Sequence, residues 1–352
     1  METDPSSFRG RGAAVNPANR FELICYERDP EAGVDDPAPA THFFKDCSRS
    51  VIAHNDSPDV GFDASINPYR GCEHGCSYCY ARPTHEYIGF SAGLDFETKI
   101  MVKEDAPDLL WRELASPRWQ PQTLALSGVT DPYQPIERRF RLTRRCLEVL
   151  LEFRNPVAIV TKNHLVTRDI DLLLDLAKHR AVGVFVSVTT LDAELVRALE
   201  PRATSPAGRL AAIGELSSAG VPVGVMLAPV IPGLNDHEIP AILKAIAAAG
   251  ARYASYIILR LPYAVAGLFE QWLERHRPAA KERILGRIRD VRGGKLNDPR
   301  FGSRMRGEGV LAEQIRSLFH LSCRQAGLNA SRLELSTEAF RRPQGTQHLL
   351  FE

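Results

Sequence analysis

Hydrophobic positions in the middle of the chain follow two alternating rhythms. Short runs rich in β-branched residues predict strands: Thr123–Ser127 (TLALS), Val157–Thr161 (VAIVT), Gly183–Thr189 (GVFVSVT), Pro222–Val230 (PVGVMLAPV) and Tyr253–Leu261 (YASYIILRL), with a shorter run, Ala64–Tyr69, ahead of them. Between them, apolar residues recur at helical spacing in Arg138–Phe153, Thr167–His179, Arg209–Ala219 and Asp236–Ala249. Alternation of this kind is the mark of βα units joined into a parallel sheet. Gly220 and Gly250 stand just before strands, where a left-handed residue closes a helix. Six such units build either a doubly wound sheet or a partial (β/α) barrel, and periodicity does not choose between them.

Outside residues 61–265 the pattern changes. Residues 1–60 are rich in Pro, Asp, Ser and Asn and read as an irregular N-terminal arm, with Pro37–Pro39 as a linker in an acidic stretch. After Pro262 the strand pattern stops. Residues 266–352 read as a mostly helical C-terminal extension, with helices over 267–293 and 307–327 and an irregular tail from Ser336.

A chain of 352 residues can bury a core without help from metal or disulfide. Lys and Arg total 44 against 43 Asp and Glu, so no whole-molecule field attracts polyanions. No apolar run reaches the roughly 18–20 residues of a membrane span, and the N-terminus lacks the apolar stretch of a secretory signal. These features predict a cytoplasmic protein without membrane contact. Seven cysteines, three of them within eight residues, argue against a disulfide framework and for a local metal site.

That triplet is Cys72-Glu-His-Gly-Cys76-Ser-Tyr-Cys79, directly after the first short strand. Thiolates are soft ligands suited to zinc or iron–sulfur clusters, and Gly71 and Gly75 allow the tight turns that wrapping one centre requires. A structural zinc site closes with four protein ligands. The fourth would have to be His74, His85 or a distant cysteine, whereas Cys25, Cys47, Cys146 and Cys323 show no partner spacing. Cys146, on a predicted helix, reads as a buried small hydrophobe. Three cysteines without a fourth would leave one iron of a [4Fe–4S] cluster open.

With Tyr78 before its third cysteine, the triplet resembles the radical SAM superfamily motif. The stretches Asn67-Pro-Tyr-Arg-Gly-Cys72 and Thr130-Asp-Pro-Tyr-Gln-Pro135 are similar to the branch related to spore photoproduct lyase, within it an uncharacterised bacterial family. That likeness extends to Asp56–Asp59, Glu200-Pro-Arg202, Ile258–Pro262 and Arg292-Gly-Gly-Lys295. The resemblance implies an α/β fold with a partial (β/α)6 TIM-like barrel of the radical SAM type. It implies a [4Fe–4S] cluster on Cys72, Cys76 and Cys79 and S-adenosylmethionine (SAM) chelated to the open iron. A flavodoxin- or ferredoxin-type electron donor would drive reductive cleavage to a 5′-deoxyadenosyl radical.

Polar residues at strand ends, the functional rim of a β/α barrel, are Thr130, Asp131, Thr161, Lys162, Ser187, Thr189, Thr190, Asn235, Asp236 and Arg260. Each alone also reads as a turn or cap residue. By resemblance, Lys162 binds the SAM carboxylate and Ser187 the ribose. Thr130 and Asp131 lie in the segment that replaces the one contacting the amino group. Val230 and Pro232 flank adenine, with Tyr78 on another side. Arg202 is a carboxylate or substrate ligand, or else a salt-bridge partner of Glu200 or Glu194. The lyase returns hydrogen from a cysteine at the end of its second strand. Here that strand ends Ser127-Gly-Val-Thr-Asp131, so lyase chemistry by that route is not expected. Tyr133 and Tyr256 are candidate radical relays, or packed aromatics.

Lys281–Arg306 carries nine Lys/Arg against three Asp/Glu. Arg287, Arg289, Arg292, Lys295, Arg300, Arg304 and Arg306 could meet nucleic acid phosphates, with Gly293-Gly294 opening backbone N–H groups to an anion; a solvated helix face reads equally well. The leading expectation is a radical SAM enzyme acting on an unknown substrate, a nucleic acid or a polypeptide, in a lyase-like or modifying reaction. The alternatives are a zinc-stabilised nucleic-acid-binding protein and a non-catalytic iron–sulfur scaffold.

Overall fold

The computed structural model describes residues 10–22 and 39–343. Ten strands occur among them: β1 (His42–Lys45), β2 (Ile52–His54), β3 (Ala64–Ile66), β4 (Tyr69–Arg70), β5 (Lys99–Val102), β6 (Leu124–Leu126), β7 (Val157–Thr161), β8 (Val182–Ser187), β9 (Val223–Val230) and β10 (Tyr253–Ile258). The main sheet runs β10-β9-β8-β7-β6-β3-β2. Its six strands from β3 to β10 pair in parallel, and β2 joins β3 antiparallel. This is the predicted set of six βα units in sequential order, as a partial barrel requires. The strand order ends at β10 and β2, leaving a seam.

Alternation along the strands sorts the two faces. Val184, Val186, Val223, Val225 and Ile159 are buried in one core with Leu147, Leu150, Leu173, Ile213, Leu216, Ile242 and Leu243 of the flanking helices. The intervening Ala158, Val160, Phe185, Met226 and Ala228 are only partly buried and line the opposite face. A Cβ on Gly183 would stand 2.4 Å from Leu333 Cδ2, so the C-terminal tail crosses that face near the N-terminal end of β8. Ser336 N bonds Arg180 O at 2.9 Å and Arg341 N bonds Phe153 O at 2.9 Å along the same path.

The seam is bridged by side chains. Gly302 N donates to Asp59 Oδ1 at 2.6 Å, Arg304 donates to Asp59 and Ser57, and Arg306 Nη1 donates to Tyr256 O of β10 at 2.6 Å. The segment after the helix Lys281–Asp290 thus ties the loop beyond β2 to β10.

Three features depart from the sequence pattern. The run Ala64–Tyr69 splits at Asn67-Pro68, because proline cannot donate to the ladder, and β4 turns into a small second sheet, β1-β5-β4. The helix expected over Arg138–Phe153 breaks at Arg141 (φ +51), where the Glu137 carboxylate accepts from Thr143 N at 3.0 Å and caps the helix Leu142–Phe153. The arm is not wholly irregular, since it contributes β1 and β2. Its residues 11–13 are also buried: Gly12 N and Ala13 N donate to the Glu97 carboxylate at 3.0 and 2.8 Å, and Arg11 Nη1 donates to Glu97 O at 3.0 Å. Glu97 also pairs with Arg82, both fully buried.

Replacing Glu97 with alanine leaves Arg82 buried and unpaired, an expected loss of about 3–5 kcal/mol in denaturant unfolding. Hydrogen exchange at residues 12 and 13 should rise in the same variant. Unchanged exchange there would mean that the arm is held by other contacts.

Candidate functional site

The cysteine loop sits against the small sheet and the first turns after it. Cys72 N bonds Phe96 O at 2.9 Å, Cys79 N bonds Cys76 O at 3.3 Å, and Ser77 N bonds Leu199 O at 2.9 Å. Gly71 and Gly75 have φ of +78° and +66°, and a Cβ on either would meet an atom of Phe96 or Glu97 within 3.0 Å. Glycine is therefore required at both turns. Arg82 donates twice to Cys76 O, at 3.0 and 2.8 Å, which fixes the middle of the loop.

Asp131, at the loop after β6, is fully used from within. It accepts from Thr161 Oγ1 and Lys162 N, both at 2.7 Å, and from Tyr133 N at 2.9 Å, and lies 3.4 Å from His74 Nδ1. Burial would raise its carboxyl, but His74 and these donors bring it down to about 2. Asp131 and Cys72 pull the His74 ring toward protonation against its burial. The ring Nδ1–H faces Asp131, and Nε2 lies 3.2 Å from Asn163 Nδ2. Asp131 is thus a positioning group for Lys162 and the cysteine loop, with no oxygen left for a ligand. Thr130 is buried beside it, facing Gln134 Nε2 at 3.5 Å.

Lys162, Ser187 and Tyr78 come together. Lys162 Nζ donates to Ser187 Oγ at 3.1 Å and lies 6.0 Å above the Tyr78 ring. Ser187 Oγ donates on to Ala228 O at 3.2 Å. No carboxylate stands within ion-pair distance of this ammonium among the described residues. Beneath the group lies Glu200, which accepts from Tyr78 and from Thr189 Oγ1 (2.6 Å) and pairs with the fully buried Arg209. Burial would raise Glu200, yet Arg209 and Lys162 hold it at about 2. Burial, and then Glu200, push the Tyr78 phenol well up, so it stays protonated. In the sequence, the Glu200-Pro-Arg202 stretch is the available signal for Glu200. Val230 and Pro232 are buried at the end of β9, and Ile231 packs in one apolar cluster with Cys76 and Tyr78.

Arg202 pairs with Glu73 (3.4 Å), not with Glu200 or Glu194. Tyr133 is fully buried in the helix-side core and donates to Asp169 Oδ2 at 3.1 Å. Tyr256 faces the helices too, 4.6 Å from the Phe319 ring, with Arg306 over it at 4.3 Å. Both rings are packed in the helix-side core. In the basic segment, Arg287 faces Asp236, Arg300 binds Asp298 and Glu308, Arg304 binds Asp59, and Arg292 donates to Ile258 O and Leu259 O from a buried position. Much of the segment's hydrogen-bonding capacity is thus used within the chain. Cys146 and Cys323 are buried apart from the loop, Cys47 is exposed, and Cys25 lies outside the described residues.

The donor chemistry fits an iron–sulfur cluster better than zinc. Three soft thiols share one buried loop, and burial pushes the Cys76 and Cys79 thiols up, so the positive charge of a metal centre is what would make them thiolates. His74 is committed to Asp131 and Asn163, and His85 Nε2 to Lys99 O at 2.9 Å. Among the described residues, no three His, Cys, Asp or Glu are grouped to hold a single ion.

Changing Glu200 to glutamine strands Arg209, with an expected loss of about 3–5 kcal/mol near neutral pH. Because the folded carboxyl lies near 2 against an ordinary 4.5, its stabilisation is complete above pH 4.5 and lost as pH falls toward 2. Denaturant midpoints of the two proteins should therefore converge over that window. A gap independent of pH would place the variant's cost elsewhere.

Comparison with known proteins agrees with this geometry. The radical SAM superfamily model matches residues 66–246, half of the chain. An uncharacterized protein of Mycobacterium tuberculosis is 38% identical over 263 residues, 74% of this chain and 76% of that protein. A radical SAM Nalpha-GlyT isomerase of Pseudomonas phage M6 is 23% identical over 293 residues, 83% of this chain and 57% of that one. Solved structures of spore photoproduct lyase share the fold at 17% identity, with a TM-score of 0.58 over 81% of this chain and 80% of theirs; one holds AdoMet and a dinucleoside spore photoproduct. The cysteine loop, the six parallel βα units and these likenesses make the chain a member of the radical SAM superfamily.

Proposed function

We propose that the protein is a radical SAM enzyme in which Cys72, Cys76 and Cys79 hold a [4Fe–4S] cluster and Lys162 and Ser187 receive SAM. Such a cluster, when reduced, supplies the electron that splits SAM to a 5′-deoxyadenosyl radical for hydrogen abstraction from substrate. The observation that carries this reading is the Lys162 ammonium. It is held 3.1 Å from Ser187 and close to Cys76 and Tyr78, with no carboxylate within ion-pair distance among the described residues. Asp131 sets the Lys162 backbone, Ser187 leaves two ammonium protons to meet a ligand carboxylate, and the Glu200–Arg209 pair keeps the floor of the site rigid. The Tyr78–Ile231 apolar cluster offers a dry wall for an adenine ring.

Iron content and the electron paramagnetic resonance spectrum of the reconstituted, reduced protein test this reading. Cys76→Ala should lose the cluster signal. In wild type, SAM should shift the signal. In Lys162→Ala the same shift should need at least tenfold more SAM, the cost of one charge-assisted hydrogen bond at about 1.5–3 kcal/mol. A wild-type spectrum insensitive to SAM would favour a scaffold role, and tightly bound zinc in place of iron would overturn the cluster assignment.

A further inference from the structure

Exposed aromatic rings border the cysteine loop and the end of β10. Phe21, Tyr80, Tyr87, Tyr263 and Phe301 stand between 46% and 71% exposed. The fold assembles them from four distant segments, so the sequence shows no aromatic–basic interleaving there. Tyr80 follows Cys79 and reaches across to the loop after β6, donating to Gly128 O at 2.6 Å. Phe21 stacks on Tyr87 at 4.9 Å between ring centroids. Guanidinium groups sit on these rings: Arg20 over Tyr263 at 3.7 Å, Arg304 over Phe301 at 4.4 Å and Arg260 over Tyr80 at 5.2 Å. Tyr263 is held at φ +51° and ψ −127°, a conformation that costs a bulky residue about 1–3 kcal/mol. A strained turn that presents its ring to solvent does nothing for the core.

The charges divide unevenly. Arg20 is paired with Glu86 at 2.7 Å and Arg304 with Asp59. Arg260 forms no ion pair among the described residues: its Nη1 meets Met305 Sδ at 3.8 Å, its Nε is buried without a hydrogen-bond partner, and Asp59 acts on it only from a longer distance. The surface therefore offers several stacking faces and one cation without a close ion pair among the described residues. A duplex, whose bases are hidden and whose phosphates need many cations, fits it badly. Unpaired bases on a phosphate backbone fit it better, because exposed rings can stack bases while the single guanidinium without an ion pair suffices for one or two phosphates.

We propose that this rim, centred on Tyr80, Arg260, Tyr263 and Phe301, binds single-stranded nucleic acid and presents one splayed base to the barrel. The presentation step rests on the radical SAM reading; the binding does not. It moves the expected nucleic acid contact from the basic segment as a whole to the aromatic rim beside it.

Fluorescence anisotropy of the cluster-loaded protein tests it, with a labelled short oligothymidylate, a duplex of equal length and a labelled unstructured polypeptide. The single strand should bind at least tenfold tighter than either. Its salt dependence should be shallow, with a log–log slope of about −1 for one or two phosphates. Tyr263→Ala and Phe301→Ala should each weaken binding about 5- to 100-fold, Arg260→Gln should remove most of the salt slope, and Phe44→Ala, an exposed ring on β1, should change nothing. Equal or better binding of duplex or polypeptide, or full affinity in both ring variants, overturns the proposal. SAM cleavage measured on the same preparation is independent of these outcomes, so failure of the rim and failure of the radical reading are separable.

Discussion

A buried ion pair organises the cysteine loop. Arg82 and Glu97, both without solvent contact, face each other behind it. Arg82 also donates to the carbonyls of Cys76, Ala92 and Gly93, and Glu97 accepts two backbone N–H groups of the arm. Two charges taken from water stabilise a fold only when every remaining donor and acceptor is met. Here that requirement recruits the loop, the turns after it and the N-terminal arm into one unit. Gly12 lies so close to Gly75 that a Cβ on it would be 1.6 Å from Gly75 O, so the arm is the outer wall of the loop.

The same logic recurs on the barrel side. Glu200 and Arg209 form a second fully buried pair, and Asp131 is a third anchored carboxylate. Each ties a strand end to a neighbour, β8 to the loop through Tyr78 and Thr189, β6 to β7 through Thr161 and Lys162. Lys162 is the cation left over once these pairs are made. Polar strand ends thus divide into residues that hold the rim, such as Asp131, Thr189 and Asn235, and residues that remain available, Lys162 and Arg260.

Much of this was legible in the sequence because parallel strands buried on one face keep a β-branched signature. The positions of the cysteine triplet, Lys162 and Ser187 were readable as well, since the triplet comes just after β4, Lys162 follows β7 and Ser187 ends β8. Strands β1, β2, β4 and β5 were not, being two to four residues long and paired with partners distant in the chain. Tyr256 packs as the alternation along its strand implies: it shares its face with Ile258, which is buried among the helices. The basic segment shows a limit of a different kind. Composition counts its nine cations, but Asp59, which neutralises Arg304, is some 245 residues away. The aromatic rim is illegible for the same reason.

The central claim is that the loop and the Lys162 pocket together support reductive cleavage of SAM. Its most direct measurement is 5′-deoxyadenosine formed when the anaerobically reconstituted protein meets SAM and a strong reductant. The account predicts product well above that of a Cys76→Ala control carried through the same reconstitution. No product from a protein shown to hold a [4Fe–4S] cluster and to bind SAM would contradict it.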